Sequence, residues 1–219
     1  MPKIITLLPP AVLEQIQRYH EGQDPGHDWA HIQRVVRTAI EISQEEGADA
    51  TVVLAAAHLH DIVNVPKDHP ERHRASELAA DKAVELLRET TFPQDKLAAV
   101  HTAIVEHSFS RGLKPSTLEA AVVQDADRLD ALGAIGVLRC AAVNTAMGTP
   151  FYDPADPLAR GRELDDRRWM VDHYFLKLLR LPDTMATATG KRIGHERAEF
   201  MRAFLAQLEG EVSPSNSLR

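Results

Sequence analysis

The stretch LAAAHLHDIVNVP, residues 54–66, is small and apolar until it reaches His58, His60 and Asp61. Its first half is typical of a buried helix, yet two imidazoles and a carboxylate stand where the chain is about to turn. Burial of an unpartnered neutral polar group costs roughly 2–7 kcal/mol, and burial of a charge costs more. The adjacent pair His60 and Asp61 therefore predicts that groups elsewhere in the chain compensate for its burial.

The composition of the chain restricts the kind of protein it encodes. With 219 residues, 44% of them hydrophobic, the chain can bury a core and is not typical of a disordered protein. The net charge of −7 argues against nucleic acid polymers and membrane surfaces as partners, although local cations could hold a small anion. Cys140 is the single cysteine, the first residues make a poor signal peptide, and no stretch approaches 18 uninterrupted apolar residues. We therefore expect a cytoplasmic protein, whose oligomeric state the sequence leaves open.

Helical patterns dominate the sequence. Between residues 28 and 46 apolar side chains recur every three or four positions, and Gly47 supplies a stop. Similar patterns predict further helices over 49–65, 76–88, 93–109, 116–133, 134–147, 167–181 and 190–209. Residues 148–166 are rich in Pro, Gly and Asp, which predicts a long loop of the kind that often covers or binds a ligand. We predict an all-α protein with a single domain over residues 1–210 and a frayed tail over 211–219.

Imidazoles and carboxylates occur on three separate predicted helices. His31 lies near the start of the first, His60 and Asp61 near the end of the second, and Asp127 within QDADRLDAL on a later one. Adjacent residues of a helix diverge by about 100°, so His60 and Asp61 can flank one ion near a helix end. Two imidazoles and two carboxylates suit Mn²⁺, Fe²⁺, Co²⁺ or Ni²⁺ better than Mg²⁺. Spacing alone leaves open a second interpretation, an ordinary helix-terminal histidine beside a capping aspartate.

The same residues occur in the order of a known family signature. The patterns H-x-x-R-V at residues 31–35, H-D at 60–61 and A-D-x-L at 126–129 resemble those of the HD superfamily of metal-dependent phosphohydrolases. The longer stretches HDWAHIQRVVRTA, AAAHLHDI, EHSFS and VVQDADRLDALGAIGVLR are similar to the small single-domain HD hydrolases in particular. The resemblance covers residues 26–139, the motif core of the predicted HD-type hydrolase domain.

The resemblance implies a helical HD-domain fold that holds a divalent metal through His31, His60, Asp61 and Asp127. Family members mostly hydrolyse phosphoesters or phosphoanhydrides, so it also implies a nucleotide phosphatase or pyrophosphatase that attacks a nucleotide or similar small phosphate compound with metal-activated water. Binuclear members use further histidines, and His107 stands where such a residue could lie. The chain lacks the double-histidine and Gly-Tyr-Pro elements of the cyclic-dinucleotide branch.

Hydrolysis also needs groups that handle protons and substrate charge. We assign Asp61 and His107 to a catalytic role, in which they orient the water or take its proton. Cations must offset the charge of the substrate, because the chain itself is negative. Arg34 shares a helical face with His31 and could either contact a phosphate or clamp an acidic ligand, while Lys67 could contact a phosphate or be merely exposed. The polar segment KDHPERHRAS, residues 67–76, is predicted to be a solvated loop that could close over a substrate.

Three more acids flank the predicted ligands. Asp28 is predicted to cap the helix that follows it, or alternatively to orient a ligand histidine. Asp130 shares a helical face with Asp127 and is predicted to support the metal ligands from behind. Asp125 faces elsewhere on the helix, so we expect it to be exposed or paired with Arg128.

Three other functions stay open at this point. A catalytically silent HD module would keep the metal site and sense a nucleotide without turning it over. A di-iron oxygenase would need more histidine ligands than the four-residue set supplies. A helical scaffold with no site would bind no metal at all.

Overall fold

Helices form the regular structure of the protein. The structure, a computed structural model, describes residues 8–23, 26–63, 65, 70–108 and 111–212, and these contain α-helices and 3-10 helices but no β-strand. The predicted all-α class is confirmed. Within this described part no single helix is long and apolar enough to cross a membrane, and only the helices Leu118–Leu129 and Gly133–Ala146 taken together pass that test by length and composition. The α-helices are α1 (Pro10–Tyr19), α2 (Trp29–Glu46), α3 (Ala50–Leu59), α4 (Ala75–Arg88), α5 (Leu97–His107), α6 (Leu118–Leu129), α7 (Gly133–Ala146), α8 (Met170–Leu176) and α9 (Ala188–Val212).

Both ends of α2 follow from local side-chain chemistry, as predicted. Asp28 is the N-cap, and its carboxylate accepts a hydrogen bond from the backbone N–H of His31 at 2.8 Å. Gly47 ends the helix with a φ of 76°, a left-handed conformation that glycine adopts without the steric cost of a Cβ. Its N–H donates to the carbonyl of Ser43, which satisfies one of the last carbonyls of the helix.

The helix α3 is shorter than predicted. It begins at Ala50 after the capping residue Asp49, as expected, but it ends at Leu59, and His60 is already the C-cap. The N–H of Ile62 then donates to the carbonyl of Leu59, so the chain turns at once. The predicted end before residue 66 is therefore wrong, and His60 and Asp61 occupy a turn rather than a helical face.

The last two predicted helices also differ from the structure. Residues 167–181 form the short helix α8 and then a 3-10 helix, Leu178–Thr184, with the break at Lys177. Pro182 lies in this second part, where its missing N–H cannot continue an α-helical ladder. The helix α9 reaches Val212, so the first two residues of the predicted frayed tail are helical, and residues 213–219 lie outside the described residues.

The chain divides into two compact units, of which the first comprises residues 1–129 and 186–190. In this first unit α3 contacts α2, α4, α5 and α6, while α2 packs on α6 and α5 packs on both α4 and α6. Small side chains let these neighbours approach α3 closely, and six of its apolar residues are buried: Val52, Val53, Ala55, Ala56, Ala57 and Leu59. The turn that follows α3 therefore begins inside the packed helices.

Asp125 on α6 is fully buried, so the expectation that it is exposed is wrong. Its carboxylate accepts hydrogen bonds from the backbone N–H groups of Ala186 and Thr187 and from the Thr187 hydroxyl, at 2.7–3.1 Å. Its charge also interacts with that of Arg128. A Cβ at Gly190 would collide with this carboxylate, so only glycine fits there.

The second unit comprises residues 130–185 and 191–219. Asp172 on α8 is fully buried and accepts two hydrogen bonds from the Arg162 guanidinium, at 2.6 and 2.8 Å, and one from the N–H of Asp165. Tyr174 is also fully buried and stacks on Phe204 with ring centroids 6.1 Å apart. Residues 148–166 contain no helix, as predicted, and the Arg162–Asp172 pair fixes the end of this loop. The predicted domain bounds, residues 1–210, stay a prediction.

Candidate metal centre

Five polar side chains from separate elements of the first unit come together. The Nε2 atom of His31, on the first turn of α2, lies 3.4 Å from Nε2 of His60 and 3.6 Å from Oδ1 of Asp127 on α6. The His60 Nε2 lies 3.8 Å from the same Asp127 oxygen and 3.6 Å from Oδ2 of Asp61. The other Asp61 oxygen lies 3.7 Å from Nε2 of His107, the last residue of α5. The result is two overlapping groups of possible ligands that share His60.

The separations of these atoms fit a divalent ion. Within each group the ligand atoms all lie within 4.8 Å of one another. Two neighbouring ligands at about 2.1 Å from one ion are roughly 3.0 Å apart in octahedral and 3.4 Å apart in tetrahedral coordination. The observed distances of 3.4–3.8 Å lie at or beyond the limit of a direct hydrogen bond and close to the ion-bridged values.

Hydrogen bonds to backbone carbonyls determine which ring nitrogen of His60 and His107 is available to bind a metal. His60 Nδ1 bonds the carbonyl of Ala57 at 3.0 Å, and His107 Nδ1 bonds the carbonyl of Ile104. A carbonyl only accepts, so each Nδ1 carries the proton and each neutral ring presents a lone pair at Nε2. This is the arrangement of metal-ligating histidines, in which the second nitrogen is held by a backbone or carboxylate oxygen. A lone pair that faces a carboxylate is stabilised by a cation between them.

Burial and neighbouring charges shift the pKa values of three side chains in the cluster. Burial lowers the pKa of His60 to about 4, although the charges of Asp61 and Asp127 oppose the shift. Burial alone would raise the pKa of Asp61, but the imidazoles of His60 and His107 outweigh it and hold that pKa well below its usual value. For His107 burial acts to lower the pKa, and the adjacent Asp61 carboxylate reverses the effect and raises it. His60 is thus neutral and Asp61 ionised at pH 7.

Comparisons with known proteins agree with this geometry. A family model described as HD domain matches residues 28–132. The uncharacterized protein YpgQ of Bacillus subtilis is 31% identical over 210 residues, which is 90% of each chain. The chain belongs to the HD superfamily. Among solved structures of this superfamily, a Bacillus thuringiensis HD-superfamily hydrolase is 31% identical with a TM-score of 0.71, and covers 92% of this chain and 94% of its own. A structure of Bacillus subtilis YpgQ in complex with ADP is 33% identical with a TM-score of 0.70, over 91% of this chain and 97% of its own.

The HD signature residues of the chain meet as the sequence suggested. The four predicted ligands lie together, and His107, the predicted catalytic residue, joins them through Asp61. HD domains bind divalent metals, and the cluster could hold one. Asp28 accepts a hydrogen bond from the backbone N–H of His31, and its predicted alternative of orienting a ligand histidine stays a prediction.

The other predicted site residues of this HD chain lie in varied places. Arg34 is half-buried on α2, one turn after His31, and its phosphate-binding role stays a prediction. Lys67 lies outside the described residues. Asp130 belongs to the second unit, where it is buried and accepts a hydrogen bond from Arg139, and its supporting role also stays a prediction.

A cavity of about 370 Å³ lies beside the cluster in the first unit, a size in the range of small-molecule sites. Asp61 and His107 line it and so belong to both the cluster and the cavity. Nothing in the sequence marked Tyr19 and His20 at the end of α1, which also line it, because α1 has no motif. Arg72 lines it too, and here the polar segment 67–76 was the one available signal. The described residues that line the cavity are Tyr19, His20, Gln23, His27, Asp61, Ile62, Val63, Arg72, Ala75, Ser76, His107 and Ser108.

Proposed function

We propose that the protein is a metal-dependent phosphohydrolase that cleaves a phosphoester or phosphoanhydride of a nucleotide or similar small phosphate compound. The observation that carries the proposal is the position of Asp61 and His107, which belong both to the group of possible metal ligands and to the wall of a cavity. A substrate in that cavity is adjacent to the ion. Membership in the HD superfamily, whose solved relatives include hydrolases, supports the reaction class.

The proposed metal ligands are His31, His60, Asp61 and Asp127, a mixed set of nitrogen and oxygen donors. This set suits Mn²⁺, Co²⁺, Ni²⁺ or Fe²⁺ better than Mg²⁺, which prefers oxygen ligands and retained waters. When bound, such an ion would polarise a phosphoryl oxygen and lower the pKa of its bound water toward about 7. The His60 ring is held by the hydrogen bond from its Nδ1 to the Ala57 carbonyl, so it would need no reorientation to bind a metal ion.

The residues of the cavity wall supply the remaining chemistry. Asp61 is ionised and His107 lies 3.7 Å from it, so this pair can orient the attacking water and receive its proton. The adjacent Asp61 carboxylate raises the pKa of His107, which favours the protonated ring that results when it takes a proton from that water. Arg72 also lines the cavity, and its positive charge can offset phosphate charge that the negative chain as a whole repels.

A nucleotide substrate is proposed on two grounds. The cavity has room for part of a nucleotide, and its wall combines an arginine, hydroxyl groups and aromatic rings. The relative YpgQ has been solved in complex with ADP. We also propose that the protein works in the cytoplasm, where its one cysteine stays reduced.

The test combines metal analysis with a hydrolysis screen. Metal bound to the purified protein is measured by mass spectrometry, and phosphate and pyrophosphate release is then followed for a panel of nucleotides with Mn²⁺, Co²⁺, Ni²⁺, Fe²⁺ and Mg²⁺. We expect release that is stimulated by Mn²⁺ or Co²⁺ and that is lost in His60→Ala and Asp61→Ala proteins. Their fold is checked by circular dichroism.

The helix α5 offers a matched control for histidine replacement. His101 lies on α5 with about 40% of its side chain exposed and pairs with Asp81, away from the cavity wall. His101→Ala should keep wild-type activity while His107→Ala loses it. Equal release by wild type and the His60→Ala protein would overturn the proposed function, and nucleotide binding without any release would favour the catalytically silent sensing module instead.

A further inference from the structure

His20, at the end of α1, is a buried histidine outside the group of possible metal ligands. Its side chain is one of those that line the cavity, and the residue is only 4% exposed. Its Nε2 is buried and has no hydrogen-bond partner within the described part of the protein. A buried polar atom left without a partner costs about 1–3 kcal/mol, so such an atom on a residue that lines a cavity points to a ligand.

The other nitrogen of the ring settles what kind of ligand group fits. His20 Nδ1 lies 2.8 Å from the backbone carbonyl of His27, and a carbonyl can only accept, so Nδ1 carries the proton. In the neutral ring Nε2 is then a lone pair. Burial is the largest influence on this group and lowers its pKa, which favours that neutral form at pH 7. The unpartnered atom is therefore an acceptor in need of a donor.

The need of His20 Nε2 for a hydrogen-bond donor distinguishes the nucleoside half of a nucleotide from its phosphate half. Phosphate oxygens are acceptors and would repel the lone pair, whereas sugar hydroxyls and the amino groups of bases can donate to it. The cavity wall already contains positive charge for the phosphates in Arg72, and Asp61 connects it to the metal ligands. His20 thus lines the same cavity as Arg72, but its Nε2 favours a hydrogen-bond donor whereas Arg72 favours the phosphate acceptors.

We propose that His20 Nε2 accepts a hydrogen bond from a hydroxyl or amino group on the nucleoside half of the nucleotide, which makes His20 a specificity residue of this site. The inference rests on the proposed function for the identity of the ligand. It goes further in assigning the orientation of that ligand, with its nucleoside toward α1 and its phosphates toward Asp61.

The ligand side of the test needs no variant. Binding of ATP to the wild-type protein is compared by calorimetry with that of 2′-deoxyATP, 3′-deoxyATP and purine riboside triphosphate, each of which lacks one donor. Ca²⁺ replaces Mn²⁺ to slow turnover, so the result does not depend on hydrolysis. One analogue should bind about 5- to 150-fold more weakly than ATP, and which one identifies the sugar or the base as the source of the donor. Equal affinities for all four nucleotides overturn the proposal.

Variants of His20 then test whether this residue causes the difference in affinity between ATP and the analogue. His20→Phe removes the acceptor and keeps a flat ring, and His20→Gln replaces it with an amide that can still accept. The Phe variant should bind ATP and the discriminated analogue equally, whereas the Gln variant should retain part of the difference. His101→Phe, a control for the same replacement on an exposed surface, should discriminate as the wild type does.

Two results separate this inference from the proposed function. If the wild type hydrolyses nucleotides but His20→Phe keeps the full discrimination, the role of His20 is overturned and the phosphohydrolase stands. If His20→Phe lowers kcat equally for all four nucleotides, the acceptor serves the hydrolytic water and the proposal is likewise overturned. Discrimination through His20 without any hydrolysis supports the inference and contradicts the proposed activity.

Discussion

Asp125 and Asp127 lie two positions apart on α6, yet their carboxylates have opposite surroundings. Asp125 is fully buried and accepts hydrogen bonds from two backbone N–H groups and a threonine hydroxyl. Asp127 instead faces two imidazole Nε2 atoms at 3.6 and 3.8 Å. The comparison teaches that a carboxylate supplied with backbone and hydroxyl donors stabilises the fold, whereas one that meets further possible ligand atoms is suited to bind a cation.

The largest expected effect is that of Asp127→Ala on metal content and activity. Replacing residues that only orient a metal ligand costs roughly 10- to 100-fold in affinity or activity, so removal of a ligand should cost more than about 100-fold. Bound Mn²⁺ and the rate of nucleotide hydrolysis are measured together. Asp125→Asn, from the same helix, should keep its metal. An Asp127→Ala protein with full metal content would remove this carboxylate from the site.

The next largest effect is the loss of stability that we expect when Asp125 is replaced. Asp125→Ala leaves the donors of Ala186 and Thr187 buried without their acceptor, and we expect it to lower the free energy of unfolding by about 2–4 kcal/mol. Asp127→Ala in the metal-free protein should change it by about 1 kcal/mol or less, because that carboxylate is poorly partnered without an ion. Urea denaturation in a chelator measures both, and equal losses would contradict the comparison.

Metal addition should then stabilise the two variants differently. At 100 times its dissociation constant, an ion that binds only the folded state adds about 2.7 kcal/mol to the free energy of unfolding. Mn²⁺ should give this increment to the wild type and to Asp125→Ala, and none to Asp127→Ala. Thermal unfolding curves with and without Mn²⁺ provide the measurement. An increment that vanished in Asp125→Ala as well would mean that the two carboxylates act as one unit.

The smallest effect is the contribution of His60 to the pH dependence of stability. Burial lowers the pKa of His60 from 6.5 to about 4, so between these values the unfolded chain holds a proton that the folded chain lacks. The contribution of His60 to stability therefore falls as the pH falls, by about 2 kcal/mol from pH 7 to pH 5 in the metal-free protein. His60→Gln should show a flatter profile in urea denaturation, and Asp125→Asn should keep the wild-type slope. Parallel profiles for wild type and His60→Gln would contradict the assignment.

The features that the sequence predicted correctly depend on residues close to one another in the chain. The caps of α2 follow from Asp28 and Gly47, each of which bonds a backbone group within four residues. The resemblance to the HD superfamily predicted that His31, His60, Asp61 and Asp127 meet, which spacing alone left open. The early end of α3 was missed because the sequence has no glycine or proline between residue 59 and Pro66 to mark the turn.

What the sequence did not predict depends on contacts between distant residues. The donors to Asp125 lie 61 and 62 positions later in the chain, so its burial leaves no local pattern. His20 belongs to a helix without a motif, and only the folded chain brings it to the cavity of Asp61. Arg72 was hidden in a polar segment that predicts a solvated loop. In each case the missing information is which segments pack together.

The close approach at Gly190 has an evolutionary consequence. A side chain at this position would occupy the space of the Asp125 carboxylate, so neither residue can be replaced by a larger one while the other stays the same. We expect positions 125 and 190 to covary among relatives, and lineages that place alanine at 190 to carry a smaller residue at 125. Substitutions on α6 would then depend on substitutions at the start of α9, although the two residues lie 65 positions apart in the sequence.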